Sequence, residues 1–314
     1  EGEGWLAHVV DADGAHDIEA ATVVLATGGF DRNDELRERY LPSGVHISGA
    51  SPGNTGDAIR IARDLELPLA NLGEGWWMPM ILIPGEEVDG DPYPRSLIRE
   101  RGAPHQIIVD ETGSRVANEA APYNVLGKAL NRALASTSRR FFLVFDQEFR
   151  KGYGLPGLPA DGDAPEWVHR GGTLSELARA AGIDPSGLQS QVAEWNAASA
   201  VGEDVRFGRG GNVYDSYYGD SKSEFGPNFG PLKEPPFFAV ELFSGTIGSK
   251  GGALTNADSL SIRRDGTVMN NLAFVGNASV PWIGAAYPGP GATLAVCMVA
   301  ALRAAQALSD RPAR

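Results

Sequence analysis

Few residues in this sequence are placed to do chemistry, and the clearest of them open a helix. The stretch YPGPGATLAVCMVAALRAA sets Tyr287, Gly289 and Gly291 directly before a long apolar run. A helix N-terminus presents unpaired N–H groups and a partial positive charge. It can therefore hold an anion, or an oxygen that becomes negative during a reaction. A proline in the first turn and a glycine without Cβ would keep those N–H groups open. A tight structural turn under a buried helix would use the same residues, and the local pattern leaves both readings open.

Tyrosines gather where the chain is least regular, at Tyr93, Tyr123, Tyr153, Tyr214, Tyr217, Tyr218 and Tyr287. Tyr123 follows NEAAP and Tyr287 precedes PGPG, and proline restricts the backbone beside it and so aims each ring. The segment VVLATGGF ends in Gly28 and Gly29, where a ligand could approach the backbone closely; a structural turn would need the same glycines. Asp110, Glu111 and Glu119 are expected to be solvated or paired. The five histidines show no metal-ligand spacing, and the single Cys297 excludes an internal disulfide framework and a cysteine-rich metal site. We expect no metal and place Cys297 in the core. A formal net charge of −13 disfavours nucleic acid and anionic membrane as partners. No run is expected to span a membrane, which takes about 20 apolar residues.

The elements that must position these groups follow from texture. WLAHVV and the Asp-Gly turn after it predict a hairpin. VVLATGGF predicts a buried strand in the middle of a parallel sheet. NTGDAIRIARDLELPLA has helical spacing. From about residue 77 the texture changes to proline and aromatic residues without an α/β rhythm. Strands are expected at HQIIVD and FFLVFD, with a second short strand after the turn at Asp110–Gly113. Helices are expected at TLSELARAAG, where Thr173 and Glu176 have capping-box spacing, and at PSGLQSQVAEWNAASA. Residues 207–236 read as a long loop. The α/β texture returns at FFAVELF, and SIRRDGTVMNNLAFVGNAS predicts a hairpin turn and a buried strand at Leu272–Val275. The simplest arrangement is an α/β domain made of residues 1–77 and 237–314, with residues 78–236 inserted as an α+β cap. No segment supplies the Gly-x-Gly-x-x-Gly of a dinucleotide site.

In order along the chain, VVLATGGF, NTGDAIRIA, RVANEAAPY, FFLVFDQEFRKGYG, FGRGGNVYDSYYGD, GSKGGALTNADSLSIRRDG and FVGNASVPWIGAAYPGPGATL resemble the fumarate reductase/succinate dehydrogenase flavoprotein superfamily. Within it they look most like the 3-ketosteroid Δ1-dehydrogenases. The resemblance implies an FAD enzyme with a split Rossmann-like FAD-binding domain, here without its N-terminal βαβ unit, and an inserted substrate domain. It implies dehydrogenation beside a ring ketone, with Tyr123 as the base and Tyr287 and Gly291 holding the ketone oxygen. It implies Thr27, Gly28, Gly29, Gly276, Asn277 and Ser279 along FAD, and Leu294 at the isoalloxazine edge. The partners implied are a small apolar, steroid-like ketone and an external electron acceptor, and the expected location is cytoplasmic. Two departures stand out: Ser249 replaces a usual threonine, and Ala295–Met298 replaces a usual glycine-proline stretch. An ene reductase of the fumarate reductase kind is the alternative within the superfamily, although PYN lacks the arginine expected there. A remnant unable to bind FAD is the alternative outside it.

Overall fold

The computed structural model describes residues 4–42, 44 and 47–309. The outermost ends of the 1–77 and 237–314 segments lie outside the described residues. The chain is a mixed α/β protein. Its strands and helices run in the order β1 (Trp5–Asp11), β2 (Gly14–Ala20), β3 (Val23–Leu25), α1 (Asp34–Tyr40), β4 (Ile47–Ser48), α2 (Asp57–Asp64), β5 (Leu69–Ala70), β6 (Gly75–Val88) and β7 (Asp91–Ser96). There follow β8 (Gln106–Asp110), α3 (Tyr123–Leu134), β9 (Phe141–Phe145), α4 (Gln147–Gly152), β10 (His169–Gly171), α5 (Leu174–Ala181), α6 (Pro185–Val201) and α7 (Val213–Tyr217). The last are β11 (Phe237–Ser249), β12 (Gly252–Ala253), β13 (Leu260–Ile262), β14 (Val268–Phe274) and α8 (Ala292–Ser309). Two compact units result. One comprises Glu1–Leu41, Ala50–Trp76 and Gly248–Arg314, the other Pro42–Gly49 and Trp77–Ile247.

The second unit is built on a sheet with the path β7-β6-β11-β9-β8, to which β4 and β10 add through β11. β8 and β9 are buried along their whole length. Side chains alternate between the faces of a strand, so each strand serves two cores. Ile108, Leu143 and Phe145 pack with Leu126 and Leu130 of α3 and Phe149 of α4. Ile107, Val109, Phe142 and Val144 pack with Leu177 of α5 and Leu188, Val192 and Trp195 of α6. The antiparallel register sets Ile108 opposite Leu143 and Ile107 opposite Val144, which keeps both faces consistent. Each fully buried large apolar side chain contributes about 1.5–3 kcal/mol. The capping box at Thr173 forms, with its side chain accepting from the Glu176 N–H at 3.2 Å and Glu176 reaching back to the Thr173 N–H. Thr173→Ala is expected to cost about 1 kcal/mol, measurable as a lower urea midpoint at constant m-value.

The first unit holds the β1–β2 hairpin and a three-stranded sheet in the order β13-β14-β3. Leu272 and Phe274 of β14 pack with Ala58 and Ala62 of α2. Ala273 and Val275 pack on the other face with Ala304 of α8.

Several expectations change. β3 runs parallel to β14 but covers only three residues at a sheet edge, with Val24 47% exposed, so it is neither buried nor central. The proline-rich stretch after residue 77 is a long antiparallel hairpin, β6–β7. Its prolines hid it, because proline removes a ladder donor. The register shifts between Leu82 and Glu87, where Pro84 and Gly85 fall, and β7 with Pro92 and Pro94 is an edge. The second short strand after Gly113 is a single bridge, Val109 to Arg115. The loop 207–236 contains α7. Finally, α8 is 18 residues long with a mean hydropathy of 1.5, long and apolar enough by length and composition to cross a membrane. The expectation that no run would qualify does not hold, since small alanines with one charge, Arg303, sustain the hydropathy. Three of its residues, Ala292, Val296 and Ala304, are buried, and Cys297 is only half-buried.

Candidate active and cofactor site

In the first unit the chain leaves β14 at Phe274 and makes one 3-10 turn, Gly276–Ala278. Gly276 needs its left-handed φ of 65° to make that turn. Asn277 Oδ1 accepts from Trp76 Nε1 at 2.9 Å. Ser279 is buried, and its N–H and hydroxyl both donate to the Gly276 carbonyl at 3.2 Å. Gly276 and Ser279 also line a cleft of about 420 Å³, together with Thr255, Ser259, Trp282 and Arg303. That cleft lies along the Val296–Arg303 side of α8 and does not include its first turn.

Tyr287 meets the Trp76 ring edge-on at 6.2 Å between centroids. The backbone just before it is held by a residue the sequence reading assigned no role. Lys250 is 1% exposed, lies 4.3 Å from the Trp76 ring centre, and donates its ammonium to the Ala286 carbonyl. A desolvated cation over an indole contributes about 2 kcal/mol. Beyond Tyr287 the backbone is open. Gly291 has φ 85°, and a Cβ built there or at Gly289 would meet nothing within 4 Å. The Gly291 carbonyl accepts from the Ala295 N–H at 2.9 Å, so Gly291 stands at the cap of α8. Pro290 precedes the helix by two residues and does not sit in its first turn, contrary to expectation. Leu294, in that turn, is 70% exposed. Glycine backbone facing open space beside an exposed apolar turn suits a flat ring.

Thr27 is exposed and Gly29 is buried. At Gly28 and Gly29 the need for glycine is internal. A Cβ would come within 2.2 Å of Asn54 Oδ1 at Gly28, and within 2.1 Å of Ser249 Oγ at Gly29. Ser249 in turn accepts from the Phe30 N–H at 2.9 Å, and its own N–H donates to Asp31 Oδ1 at 2.9 Å. Thr27, Gly28, Gly29, Gly276, Asn277, Ser279, Tyr287, Gly291 and Leu294 all belong to the first unit.

Tyr123 belongs to the second unit. It is the first residue of α3, entered through Pro122, and is buried. α3 is pressed against β6, where a Cβ on Gly127 would come within 2.5 Å of Trp77. Burial, then the neighbouring Tyr214 and Tyr218, push the Tyr123 phenol up to about 12, and Arg101 opposes them. The loop before α3 carries a buried charge network. Glu119 receives Arg115 Nε and Nη2, both at 2.7 Å, and Arg209 Nη1 at 3.2 Å. Burial would raise the Glu119 carboxyl, but Arg115 and Arg209 outweigh it and hold the group below its usual range. Arg115 also donates to Asp204 at 2.9 Å. The guanidiniums of Arg115 and Arg209 lie 4.7 and 4.6 Å from the Trp195 ring centre. Among the described residues no group of three or more His, Cys, Asp or Glu could hold a metal ion.

Arg101, Lys250, Trp76, Arg115 and Arg209 are the functional-looking residues the sequence reading left out. Lys250, Arg115 and Arg209 lie within GSKGG, RVANEAAPY and FGRGGNVYDSYYGD, but nothing in those motifs tells a buried cation from a solvated one, and Arg101 lies in none of them.

Residues 6–294 match the model of the FAD binding domain family. The chain is 34% identical to a 4-oxocyclohexanecarboxylate 2-dehydrogenase of Sinomonas cyclohexanicum, over 99% of this chain and 55% of that protein. It is 33% identical to a 3-oxosteroid 1-dehydrogenase of Mycobacterium tuberculosis, over 92% of this chain and 53% of that one. Among solved structures it superposes with TM-score 0.90 and 33% identity on a 3-ketosteroid Δ1-dehydrogenase of Sterolibacterium denitrificans in complex with 1,4-androstadiene-3,17-dione, covering 99% of this chain and 59% of that chain. The chain thus spans about half the length of the curated relatives it matches. The family match takes in both glycine turns, the loop before α3 and the first turn of α8, and on it the chain belongs to the FAD binding domain family.

Proposed function

We propose that this chain is part of a flavin-dependent dehydrogenase that introduces a ring double bond beside a ketone in a 3-ketosteroid-like or other cyclic ketone. The observation that carries this reading is the open backbone of Gly289 and Gly291 at the start of α8, next to a Tyr287 whose approach is braced by Lys250. The identity of 33–34% to dehydrogenases of such ketones supports it. In this reading the first unit, expected from the sequence at 1–77 and 237–314, is a split, Rossmann-like FAD-binding domain of a cytoplasmic enzyme; the second unit, which takes in Pro42–Gly49 and residues 237–247 as well, is the substrate domain.

FAD fits the open backbone at Gly289 and Gly291. Gly276, Asn277 and Ser279 would hold it at the end of β14, Thr27, Gly28 and Gly29 at the end of β3, and Leu294 at the ring edge. Bound FAD supplies the acceptor for a hydride. The chain's own groups do the rest. Tyr287 O–H and Gly291 N–H donate to the ketone oxygen, and each such donor is worth about 3–4 kcal/mol when negative charge develops there. That polarisation acidifies the adjacent C–H, and Tyr123 takes its proton. An external electron acceptor completes the turnover.

Gly291→Ala separates this reading from a purely structural turn. Its Cβ would enter open space, so the φ of 85° alone sets the stability cost, about 1–2 kcal/mol. The added Cβ keeps the Gly291 N–H but enters the space proposed for the ketone and shifts it from that donor, so kcat/KM is expected to fall by about 10²-fold. The test is turnover of 4-oxocyclohexanecarboxylate and of the 1,2-saturated form of 1,4-androstadiene-3,17-dione, read as bleaching of the visible flavin band. A yellow protein bleached by either ketone supports the proposal. A colourless protein, or a yellow one indifferent to both ketones, overturns it. An ene reductase would instead need cations aimed at two carboxylates. The PYN segment at Tyr123 offers no arginine of its own for that.

A further inference from the structure

A phenol pushed up to about 12 is a poor base near neutral pH. About one molecule in 10⁴ would carry tyrosinate at pH 8, so the structure has to contain something that favours the anion. Arg101 sits in a short 3-10 turn, Glu100–Gly102, and its side chain is fully buried. Its Nη1 donates to the Glu119 carbonyl at 2.7 Å and to the Ala121 carbonyl, in the loop that leads through Pro122 into Tyr123. Its Nε and Nη2 are buried with no close, well-aligned hydrogen bond, and the side-chain hydroxyl that interacts with this guanidinium is that of Tyr214.

α7 is fastened to the same spot. Asp215 Oδ2 accepts from Asn118 Nδ2 at 2.8 Å and from the Gly210 N–H at 2.9 Å. Asn228 Nδ2 donates to the Gly102 and Asp215 carbonyls, both at 2.8 Å. Gly102 packs directly under Tyr218, with 3.5 Å between a built Cβ and that of the tyrosine. Three elements thus converge on one buried cation.

We infer that Arg101 is a positioning residue for Tyr123: Nη1 fixes the loop before α3, and the guanidinium, turned to the Tyr214 hydroxyl, balances negative charge forming among the phenols of Tyr123, Tyr214 and Tyr218. This rests on the proposed role of Tyr123 as proton acceptor. The charged and titratable groups around the phenol are Arg101 from the 3-10 turn, which lowers it, and Tyr214 and Tyr218 from α7 and its end, which raise it. Asp215 faces Arg101 and offsets part of its charge. The reach of Arg101 is therefore set by a balance with Asp215, which makes the balance testable from both sides.

The experiment titrates the phenol itself, without substrate. The protein is produced with fluorotyrosine, which ionises in a milder pH range, and the Tyr123 ¹⁹F resonance is assigned as the one missing in Tyr123→Phe. Arg101→Gln is expected to move its midpoint up by about one pH unit or more. Arg101→Lys, which keeps the charge, should leave it near the parent value. Asp215→Asn, which removes the opposing charge, should move it down. A folded Arg101→Gln protein with an unmoved Tyr123 midpoint overturns the inference. If Arg101→Gln does not fold, an unmoved midpoint in Asp215→Asn overturns it equally. Because no turnover is measured, a failure here is distinct from failure of the proposed reaction, which would show as unaltered activity in Tyr123→Phe.

Discussion

Phenylalanine in place of Tyr123 is expected to lower kcat by about 10²–10⁴, the range that loss of a general base produces, while melting temperature and flavin content stay near the parent values. The expectation combines position and burial. Tyr123 begins α3 with its ring buried, so removing only the oxygen keeps the packing that seats the helix on β6. What is lost is the group that accepts the proton. The pH dependence has a definite sign. Only the ionised phenol can accept, and its midpoint is pushed up to about 12. Log kcat in the parent should therefore rise with pH through the alkaline range, by about one per pH unit where proton abstraction limits the rate. In Tyr123→Phe that rise should disappear. Steady-state rates from pH 7 to pH 10 on both proteins provide the check, and full activity in the variant would move the base to another residue.

The second large effect is on stability. Glu119→Ala is expected to destabilise the second unit by about 3–5 kcal/mol, the usual result of removing one partner from a buried ion pair. Glu119 is fully buried and holds two arginines, and its Oε1 also accepts from the Ile108 N–H at 3.1 Å. Its removal leaves Arg115 with Asp204 alone and Arg209 with carbonyl partners only, each deep in the unit. Burial favours neutral Glu119, yet the two arginines hold it below the usual carboxylate range. Burial likewise opposes ionised Asp204, and Arg115 holds it low. Folded values below unfolded ones mean that this stability is fully present above the unfolded carboxylate range, about pH 4. It is lost as pH falls through the folded values, so acid should narrow the difference between parent and variant. Urea unfolding followed by tryptophan fluorescence tests this, because both guanidiniums lie against Trp195. Equal midpoints at pH 7 would mean that the network contributes nothing net.

The two predictions meet in one loop. The Glu119 side chain anchors Arg115 and Arg209, while its carbonyl holds Arg101. The charge network thus stabilises the unit and also seats the cation beside Tyr123. A variant that loosens it would alter activity without touching a proposed catalytic group.

Much of this protein is legible in its sequence because the relevant physics is local. FFLVF declares a strand buried on both faces by its lack of polar alternation. Thr173 and Glu176 mark a helix start at a spacing only a capping box needs. The Asp-Gly turn makes a hairpin, and the motifs from VVLATGGF to YPGPGATL identify the family and its candidate residues. The β6–β7 hairpin was lost because proline content speaks against a strand, and only pairing across the sheet reveals the bulge and the edge that accommodate it.

The burial of these charges has almost no local signal. Arg101 finds its carbonyls 18 and 20 residues on, Lys250 finds Ala286 after 36, and Trp76 meets Asn277 after 201. Whether a lysine or arginine is solvated or sealed in the interior depends on which distant backbone folds over it, and no periodicity records that. The sequence by itself determined the regular elements with clear periodicity or caps, the glycine turns and the flavoprotein family, because spacing and residue type suffice for them. Only the tertiary structure decided which cations are taken out of water and set beside Tyr123 and Tyr287, because a buried charge is stabilised by partners that come together only in the folded chain.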